Sequence, residues 1–396
     1  MSTLLITNAQ VVTPQRLLPK SAVLVEDGRI AAVGAPGDLA QSAPDETVDA
    51  VGAFLAPGFI DLHCHGLLRW SVDAGAGDLA EICGALPRYG VTGWLPTLCP
   101  RPKGEDAEYA ATLAEAAVQG AAVLGLHYEG PFLTLTGALP PEAIGEADPR
   151  RVRSLMEAAA PHRAVFSVAP DFEGVLDLIP LMTSDGAPVF MTHTAADVAQ
   201  TRTAIEAGVR HATHFFDVFP HPPETEPGAR PCGVVEAVLA DPRVSVDFIL
   251  DGEHVHPVAV ELALRCKGPD GVCLITDASL GAGLPPGRYE GVGGEEVTFA
   301  YEGAPARLGK NSRLPGALAG SGLTMDRAVR NAVEMLGLDV PQAVRMASTS
   351  PAHVLGLGQR KGRVEEGFDA DLVLLDEGLH VLRTWVGGRC VHAAES

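Results

Sequence analysis

The sequence is poor in basic residues. It has 29 Lys and Arg against 50 Asp and Glu, which gives a formal net charge of −21. Nucleic-acid binding depends on Lys and Arg side chains that neutralise phosphates, so this balance argues against a nucleic-acid partner. An acidic surface favours solubility and says little more about function.

The chain also lacks segments that direct proteins to membranes. No apolar run reaches the roughly 18 residues that a transmembrane helix needs. The N-terminal segment has no basic stretch followed by an apolar one, so we expect neither a membrane span nor a signal peptide. The seven cysteines form no Cys-x-x-Cys pair, and an odd number without a secretory signal indicates reduced thiols in a cytoplasmic protein.

The chain has enough apolar residues for a large core, and both of its ends have sequence patterns typical of β-strands. Its 396 residues are 46% hydrophobic, a length that suits a barrel plus a small accessory domain. Residues 22–33 predict a hairpin with an Asp27-Gly28 turn, and residues 384–391 predict another. A short apolar run at 371–375 indicates a buried strand. We therefore expect one small β-domain assembled from both termini.

The middle of the chain alternates short apolar runs with helical stretches, a pattern typical of βα units and a parallel sheet. Eight is the number of strands in a closed (β/α)₈ TIM-like barrel, so an α/β barrel is the predicted fold. The eight candidate strands are residues 59–62, 93–95, 123–126, 164–168, 189–191, 211–213, 246–250 and 272–275.

Residues able to bind a metal or move a proton follow at least five of these strands, and a barrel gathers those strand ends onto one face. Imidazole and carboxylate ligands suit Zn²⁺, with Fe²⁺ or Mn²⁺ as alternatives. A single histidine is more often structural, but their coincidence at several strand ends favours a metal site. The candidate residues are His63, His65, Glu129, His193, His214 and Asp277.

A bound divalent ion lowers the pKa of water from 15.7 to about 7 and so supplies hydroxide at neutral pH. Asp277 would take the proton of that water and pass it to the leaving amine, first as a general base and then as an acid. The alternative for Asp277 is a purely structural carboxylate. The sequence therefore predicts a metal-dependent hydrolase.

Several segments resemble the N-acetylglucosamine-6-phosphate deacetylase family of the amidohydrolase superfamily. The most specific is Gly125-Leu-His-Tyr-Glu-Gly-Pro-Phe132, which is similar to the glutamate motif of that family. The resemblance covers nearly the whole chain, in the family's order. Its other segments are Pro57–Gly66, Thr213–Asp217, Asp251–Val255, Thr276–Ala278, Ala319–Asn331 and Gly367–Val373.

The resemblance implies a domain organisation and a partner. It implies a barrel of residues 54–363 and a β-sandwich formed by residues 1–53 and 364–396. It also implies a homodimer.

The resemblance further implies roles for the candidate ligands. Glu129, His193 and His214 would bind one metal ion, and His63 and His65 a second one that Glu129 bridges, so one or two ions are expected. Asp277 would be the catalytic acid and base and would also contact the metal.

The substrate-binding residues depart from the family pattern. Leu139 stands where the family has a histidine that contacts the N-acetyl group, and Thr225 where it has an arginine that binds the sugar phosphate. Asp217 replaces an asparagine that helps to cradle the phosphate. Arg230 could substitute for the missing arginine, and His254 could still contact the sugar or phosphate.

The predicted function is hydrolysis of an N-acyl group, with N-acetyl the expected one, from a small amino-sugar-like molecule. Alternatives are an unphosphorylated or non-sugar N-acylated amine, a cyclic amide and a deaminase reaction. A non-catalytic barrel would have lost metal ligands or the aspartate, and none is missing here.

Overall fold

The computed structural model describes residues 3–39, 44–291 and 296–395. The strands are β1 (Thr3–Val12), β2 (Leu17–Glu26), β3 (Arg29–Gly34), β4 (Glu46–Asp49), β5 (Phe54–Pro57), β6 (Phe59–Cys64), β7 (Gly66–Leu67), β8 (Trp70–Ser71), β9 (Val91–Leu98), β10 (Ala122–Val123), β11 (Leu126–Glu129), β12 (Ala164–Val168), β13 (Val189–Met191), β14 (Val209–Ala212), β15 (Ser245–Ile249), β16 (Val272–Ile275), β17 (Gly287–Glu290), β18 (Glu296–Phe299), β19 (Pro305–Leu308), β20 (Leu318–Ser321), β21 (Leu372–Leu375), β22 (Val381–Val386) and β23 (Arg389–Ala393). The helices are α1 (Pro36–Leu39), α2 (Ala76–Ala85), α3 (Glu105–Ala114), α4 (Pro149–Ala159), α5 (Ile179–Met182), α6 (Val198–Ala207), α7 (Val234–Ala240), α8 (Pro257–Lys267), α9 (Met325–Leu336), α10 (Val340–Ala347) and α11 (Thr349–Val354).

Eight parallel strands form the barrel that the sequence predicts. They follow the order β6, β9, β11, β12, β13, β14, β15, β16. The last strand returns to the first, because the backbone N–H of Asp277 donates to the carbonyl of His63 at 2.9 Å. Cys64 and Ala278 form a parallel bridge beside it. The barrel ends that carry the candidate residues therefore face one side.

Most predicted barrel strands are present with bounds shifted by a few residues, but one of them does not form as predicted. Residues 123–126 do not form a single strand, because the chain changes neighbours at Gly125. Leu124 N–H donates to the carbonyl of Trp94, whereas Leu126 N–H donates to that of Arg163. A Cβ atom at Gly125 would lie 3.1 Å from the Arg163 carbonyl oxygen, so this close crossing favours glycine. The strand after the crossing, β11, extends to Glu129.

The two chain ends build one sheet of eight strands, in the order β23-β22-β21-β5-β1-β2-β3 with β4 beside β1. The expected pairing of the termini is confirmed, since β21 runs antiparallel to β5. Ile6, Leu55 and Trp385, all fully buried, belong to one core that includes both ends of this sheet. Both predicted hairpins, β2-β3 and β22-β23, are present.

The sheet curls until its two hairpin turns meet. The carbonyl of Gly28 accepts a hydrogen bond from Ala370 N–H, and the carbonyl of Ala370 accepts one from Gly388 N–H. The division at residues 53 and 364 stays a prediction, although β5 lies just beyond residue 53 and pairs with the terminal strands. Residues 1, 2, 40–43 and 396 of the terminal domain, and 292–295 of the barrel domain, lie outside the described residues.

A four-stranded antiparallel sheet, β17–β20, is inserted between the last barrel strand and α9. Its last strand reaches the barrel mouth, where Ser321 N–H donates to the carbonyl of Asp277 at 2.7 Å. The sequence analysis did not foresee this sheet. Within the described part of the chain, no helix has both the length and the apolar character needed to cross a bilayer.

Candidate metal centre

All six predicted metal and acid–base residues meet at the C-terminal end of the barrel. Glu129 ends β11, and its two carboxylate oxygens face different histidines. Oε1 lies 3.1 Å from His193 Nε2 and 3.0 Å from His214 Nε2. Oε2 lies 3.2 Å from His65 Nε2 and 3.7 Å from His63 Nε2. Four imidazoles thus surround one buried carboxylate.

Asp277 completes the cluster from the end of β16. Its Oδ1 lies 3.4 Å from the Nε2 atoms of both His63 and His65. Asp277, His193 and His214 each adopt a positive φ, of 45°, 48° and 34° respectively. This left-handed conformation is uncommon outside glycine and is concentrated at functional sites. Each of the three residues lies two positions beyond the end of a barrel strand.

Backbone carbonyls fix the protonation of two of the histidines. His65 Nδ1 lies 3.1 Å from the carbonyl oxygen of Thr97, and His193 Nδ1 lies 2.9 Å from that of Leu135. A carbonyl oxygen only accepts hydrogen bonds, so each Nδ1 carries the proton. In a neutral imidazole Nε2 is then unprotonated and carries a lone pair. The Nε2 atoms of His65 and His193 both face oxygens of Glu129.

The lone pair of each Nε2 atom and those of the nearby Glu129 oxygen repel each other unless a cation lies between them. The donor set therefore fits a divalent metal ion: imidazole nitrogens oriented through Nδ1, together with carboxylate oxygens, as in known zinc sites. Among the described residues, three sets offer ligand atoms that lie within 4.8 Å of one another: His63 with Glu129 and His214, His63 with His65 and Asp277, and His65 with Asp73 and Cys99.

The electrostatics of the cluster are set by burial and by neighbouring charge. Burial alone would raise the pKa of Glu129, but His63 and the hydrogen bonds of His193 and His214 hold it well below its usual range. Burial alone would lower the pKa of His214, but the Glu129 carboxylate raises it to about 10. Glu129 is thus an anion, and it favours positive charge at the centre.

Polar groups behind the ligands orient them, and the sequence analysis missed two. Thr213 Oγ1 lies 3.1 Å from His63 Nδ1. Asp247, fully buried in β15, accepts the backbone N–H of His214 and holds His211 Nε2 at 2.8 Å. The one signal for Asp247 was an aspartate within an otherwise apolar strand.

His127 lies behind the centre and is not one of the candidate ligands. It is fully buried between Thr97 Oγ1 at 3.1 Å and Ser167 Oγ at 2.6 Å. Burial and the neighbouring His63 keep its pKa well below the usual range, so it is neutral. It supports the barrel interior rather than the metal.

A cavity of about 810 Å³ opens above the centre. Two of the five predicted substrate-binding residues, Leu139 and Asp217, line it. Within the described residues, Thr225, Arg230 and His254 do not.

These three residues have other surroundings. Thr225 and Arg230 are exposed on the segment before α7, where Arg230 Nε donates to His221 Nε2 at 3.1 Å. The side chain of His254 is buried and pairs with Asp251 at 2.6 Å.

Comparisons with known proteins agree with this geometry. The model of the amidohydrolase family matches residues 54–391, and that of the bacterial imidazolonepropionase-like composite domain matches residues 22–45. The N-acetylgalactosamine-6-phosphate deacetylase of Escherichia coli O157:H7 is 34% identical over 386 residues, 96% of this chain and 97% of that protein. The N-acetylglucosamine-6-phosphate deacetylase of Bacillus subtilis (strain 168) is 31% identical over 96% of this chain and 95% of its own length.

Solved structures of deacetylases are also similar to this chain over nearly its whole length. The N-acetylglucosamine-6-phosphate deacetylase from Pasteurella multocida superposes with a TM-score of 0.86 at 27% identity, covering 99% of this chain and 100% of that one. The N-acetyl-D-glucosamine-6-phosphate deacetylase from Mycobacterium smegmatis superposes with a TM-score of 0.85 at 29% identity, covering 98% and 100%. The similarity therefore includes both the barrel and the terminal sheet.

Proposed function

Since this chain belongs to the amidohydrolase family, we propose that it hydrolyses the N-acetyl group of an amino sugar 6-phosphate, releasing acetate and the free amine. It is a hydrolase of carbon–nitrogen bonds other than peptide bonds. The observation that carries the proposal is the Glu129 carboxylate held by four imidazoles beside Asp277. The relatives' N-acetylated sugar phosphates supply the substrate class.

The arrangement favours two divalent ions over one, with Zn²⁺ as the first candidate and Fe²⁺ or Mn²⁺ as alternatives. His193 and His214 face one Glu129 oxygen, whereas His63 and His65 face the other. This division supports a bridging role for Glu129. A divalent ion bound at such a centre would polarise the amide carbonyl and would lower the pKa of the attacking water.

Asp277 is proposed to move the proton. Its carboxylate takes a proton from the water that attacks the acetyl carbon, and returns it to the amine nitrogen as the C–N bond breaks. The backbone of Asp277 is fixed on both sides, because its N–H donates to His63 and its carbonyl accepts from Ser321. The side chain, which lines the cavity, is therefore held in place beside His63 and His65.

One observation favours a second candidate, the same reaction on an unphosphorylated sugar. Asp217 places a carboxylate in the cavity, where the resemblance expects an asparagine near the phosphate. Repulsion between like charges would weaken the binding of a dianion there.

A homodimer and a cytoplasmic location also belong to the proposal. The free state of all seven cysteines suits a reducing compartment.

The test is acetate release by metal-loaded protein. N-acetylglucosamine 6-phosphate, N-acetylgalactosamine 6-phosphate and their unphosphorylated forms are compared at equal concentration. Acetate from a phosphorylated sugar supports the proposal, and acetate mainly from the unphosphorylated sugars supports the second candidate. No acetate from any of the four, with metal bound, contradicts both.

A further inference from the structure

We propose that Arg313 binds the anionic group of the substrate, so that the turn between β19 and β20 sets the preference for a phosphorylated sugar. The inference rests on the proposed function and extends it to a residue that the sequence analysis did not single out. The proposed phosphate site therefore lies on the β19–β20 turn and not on the segment that carries Thr225 and Arg230.

The cavity has two arginines among its described lining residues, Arg101 and Arg313. Arg101 already has its charge neutralised. Its Nη2 lies 3.3 Å from Asp73 Oδ1 and 3.1 Å from the Asp73 carbonyl oxygen. Its guanidinium also stacks over the Tyr109 ring at 3.7 Å from the centroid. A phosphate would have to compete with Asp73 for it.

Arg313 has no such partner. Its Nη2 donates to the carbonyl oxygens of Gly137 at 2.9 Å and Leu139 at 3.0 Å. In the part of the chain that the structure describes, Arg313 forms no ion pair, and its Nε and Nη1 groups donate to no protein acceptor. Carbonyl oxygens orient a guanidinium without cancelling its charge. Three N–H groups and a full positive charge therefore remain at the cavity wall.

The same two hydrogen bonds tie Arg313 to a segment that reaches the metal centre. Leu135, two residues before Gly137, orients His193 through its carbonyl, and a Cβ atom at Gly137 would lie 3.2 Å from the His193 ring. The inserted sheet is tied to the centre as well, through Ser321 and Asp277. Two hydrogen bonds thus hold the guanidinium in place before a substrate binds, which reduces the entropy that anion binding costs.

Among the described residues, no lysine and no arginine other than Arg101 and Arg313 lines the cavity. Thr225 carries no charge, and Arg230 is exposed outside the cavity lining. Asp217 follows β14, on a different element from Arg313, and its carboxylate disfavours a dianion on its own side of the cavity. Charge therefore directs the phosphate toward the β19–β20 turn.

The experiment compares Arg313→Met and Arg313→Lys with the wild type on matched phosphorylated and unphosphorylated N-acetyl amino sugars. Arg288→Met is the control, because Arg288 is an exposed arginine of the same inserted sheet that does not line the cavity. For Arg313→Met we expect KM for the 6-phosphate to rise about ten- to a hundredfold, as for a lost charge-assisted bond. The effect on kcat and on the unphosphorylated sugar should be much smaller. Arg313→Lys should fall between.

Binding of inorganic phosphate, measured by calorimetry on metal-loaded protein, gives a readout that is independent of turnover. We expect Arg313→Met to bind phosphate more weakly than the wild type, and Arg288→Met to bind it as the wild type does. An equal rise in KM for both kinds of sugar, or unchanged phosphate binding, would overturn the proposal and leave Arg313 as a tie to the Gly137–Leu139 segment. If no sugar releases acetate, the proposed function fails, and the phosphate titration still decides the role of Arg313.

Discussion

The Nε2 atoms of His63 and His65 lie 3.1 Å apart at the end of β6. Because His65 donates its Nδ1 proton to the carbonyl of Thr97, its Nε2 has a lone pair directed at its neighbour. The spacing of two residues along an extended strand puts both rings on one face. In the proposed two-ion arrangement this pair would hold one ion, and His193 and His214, which face the other oxygen of Glu129, would hold the second.

Metal content tests that division. We expect the wild type to hold two divalent ions per chain after dialysis, and His65→Gln to hold one, because Glu129, His193 and His214 remain. Elemental analysis gives the stoichiometry. His380→Gln, at an exposed histidine paired with Asp376, should keep both ions. An unchanged metal count in His65→Gln would remove His65 from the ligand set.

Asp277→Asn separates chemistry from metal binding. We expect kcat to fall about 10²–10⁴-fold, the usual contribution of a general acid–base group. Metal should stay bound, because the four histidines and Glu129 are intact. Steady-state kinetics and elemental analysis on one preparation check both statements, with the exposed Asp270→Asn as control. A variant with near-normal kcat would exclude Asp277 from proton transfer.

Asp217→Asn should improve the use of phosphorylated sugars. The change removes a negative charge from the cavity wall without altering the size of the side chain. Repulsion between charges several Å apart near a surface amounts to roughly 1 kcal/mol, or about fivefold in kcat/KM. Glu224→Gln, on the exposed segment before α7, serves as control. No gain with the 6-phosphate would mean that Asp217 does not face it, and a loss with the unphosphorylated sugar would indicate a hydroxyl contact.

The barrel and the metal cluster could be predicted because their signals are local. Most barrel strands contain a short apolar run. The positions of the polar residues that follow, such as Glu129 and Asp277, can be predicted from the rule that parallel strand ends share one face. The proposed role of Arg313 could not be predicted. It depends on how the inserted sheet folds back over the cavity, which no periodicity encodes. For Arg230, closeness in sequence to the expected position did not bring the side chain into the cavity lining.

Asp247 supports the metal site from behind, and its removal should cost stability as well as metal. The carboxylate is fully buried, holds His211 Nε2 at 2.8 Å and accepts the backbone N–H of His214. Without it, an imidazole and an N–H group stay buried without an acceptor. Breaking such a buried pair typically costs 3–5 kcal/mol, so Asp247→Ala should lower the free energy of unfolding by about that amount.

The chain provides a matched control for this variant. Asp376 also pairs with a histidine and accepts that residue's backbone N–H, at 2.8 Å from His380 N, but both side chains are exposed. Asp376→Ala should therefore change the free energy of unfolding by at most about 1 kcal/mol. Denaturant unfolding of both variants without metal gives the two free energies of unfolding. Metal titration then tests whether His214 still binds metal in Asp247→Ala. Equal losses in the two variants would show that the burial of Asp247 does not set its contribution.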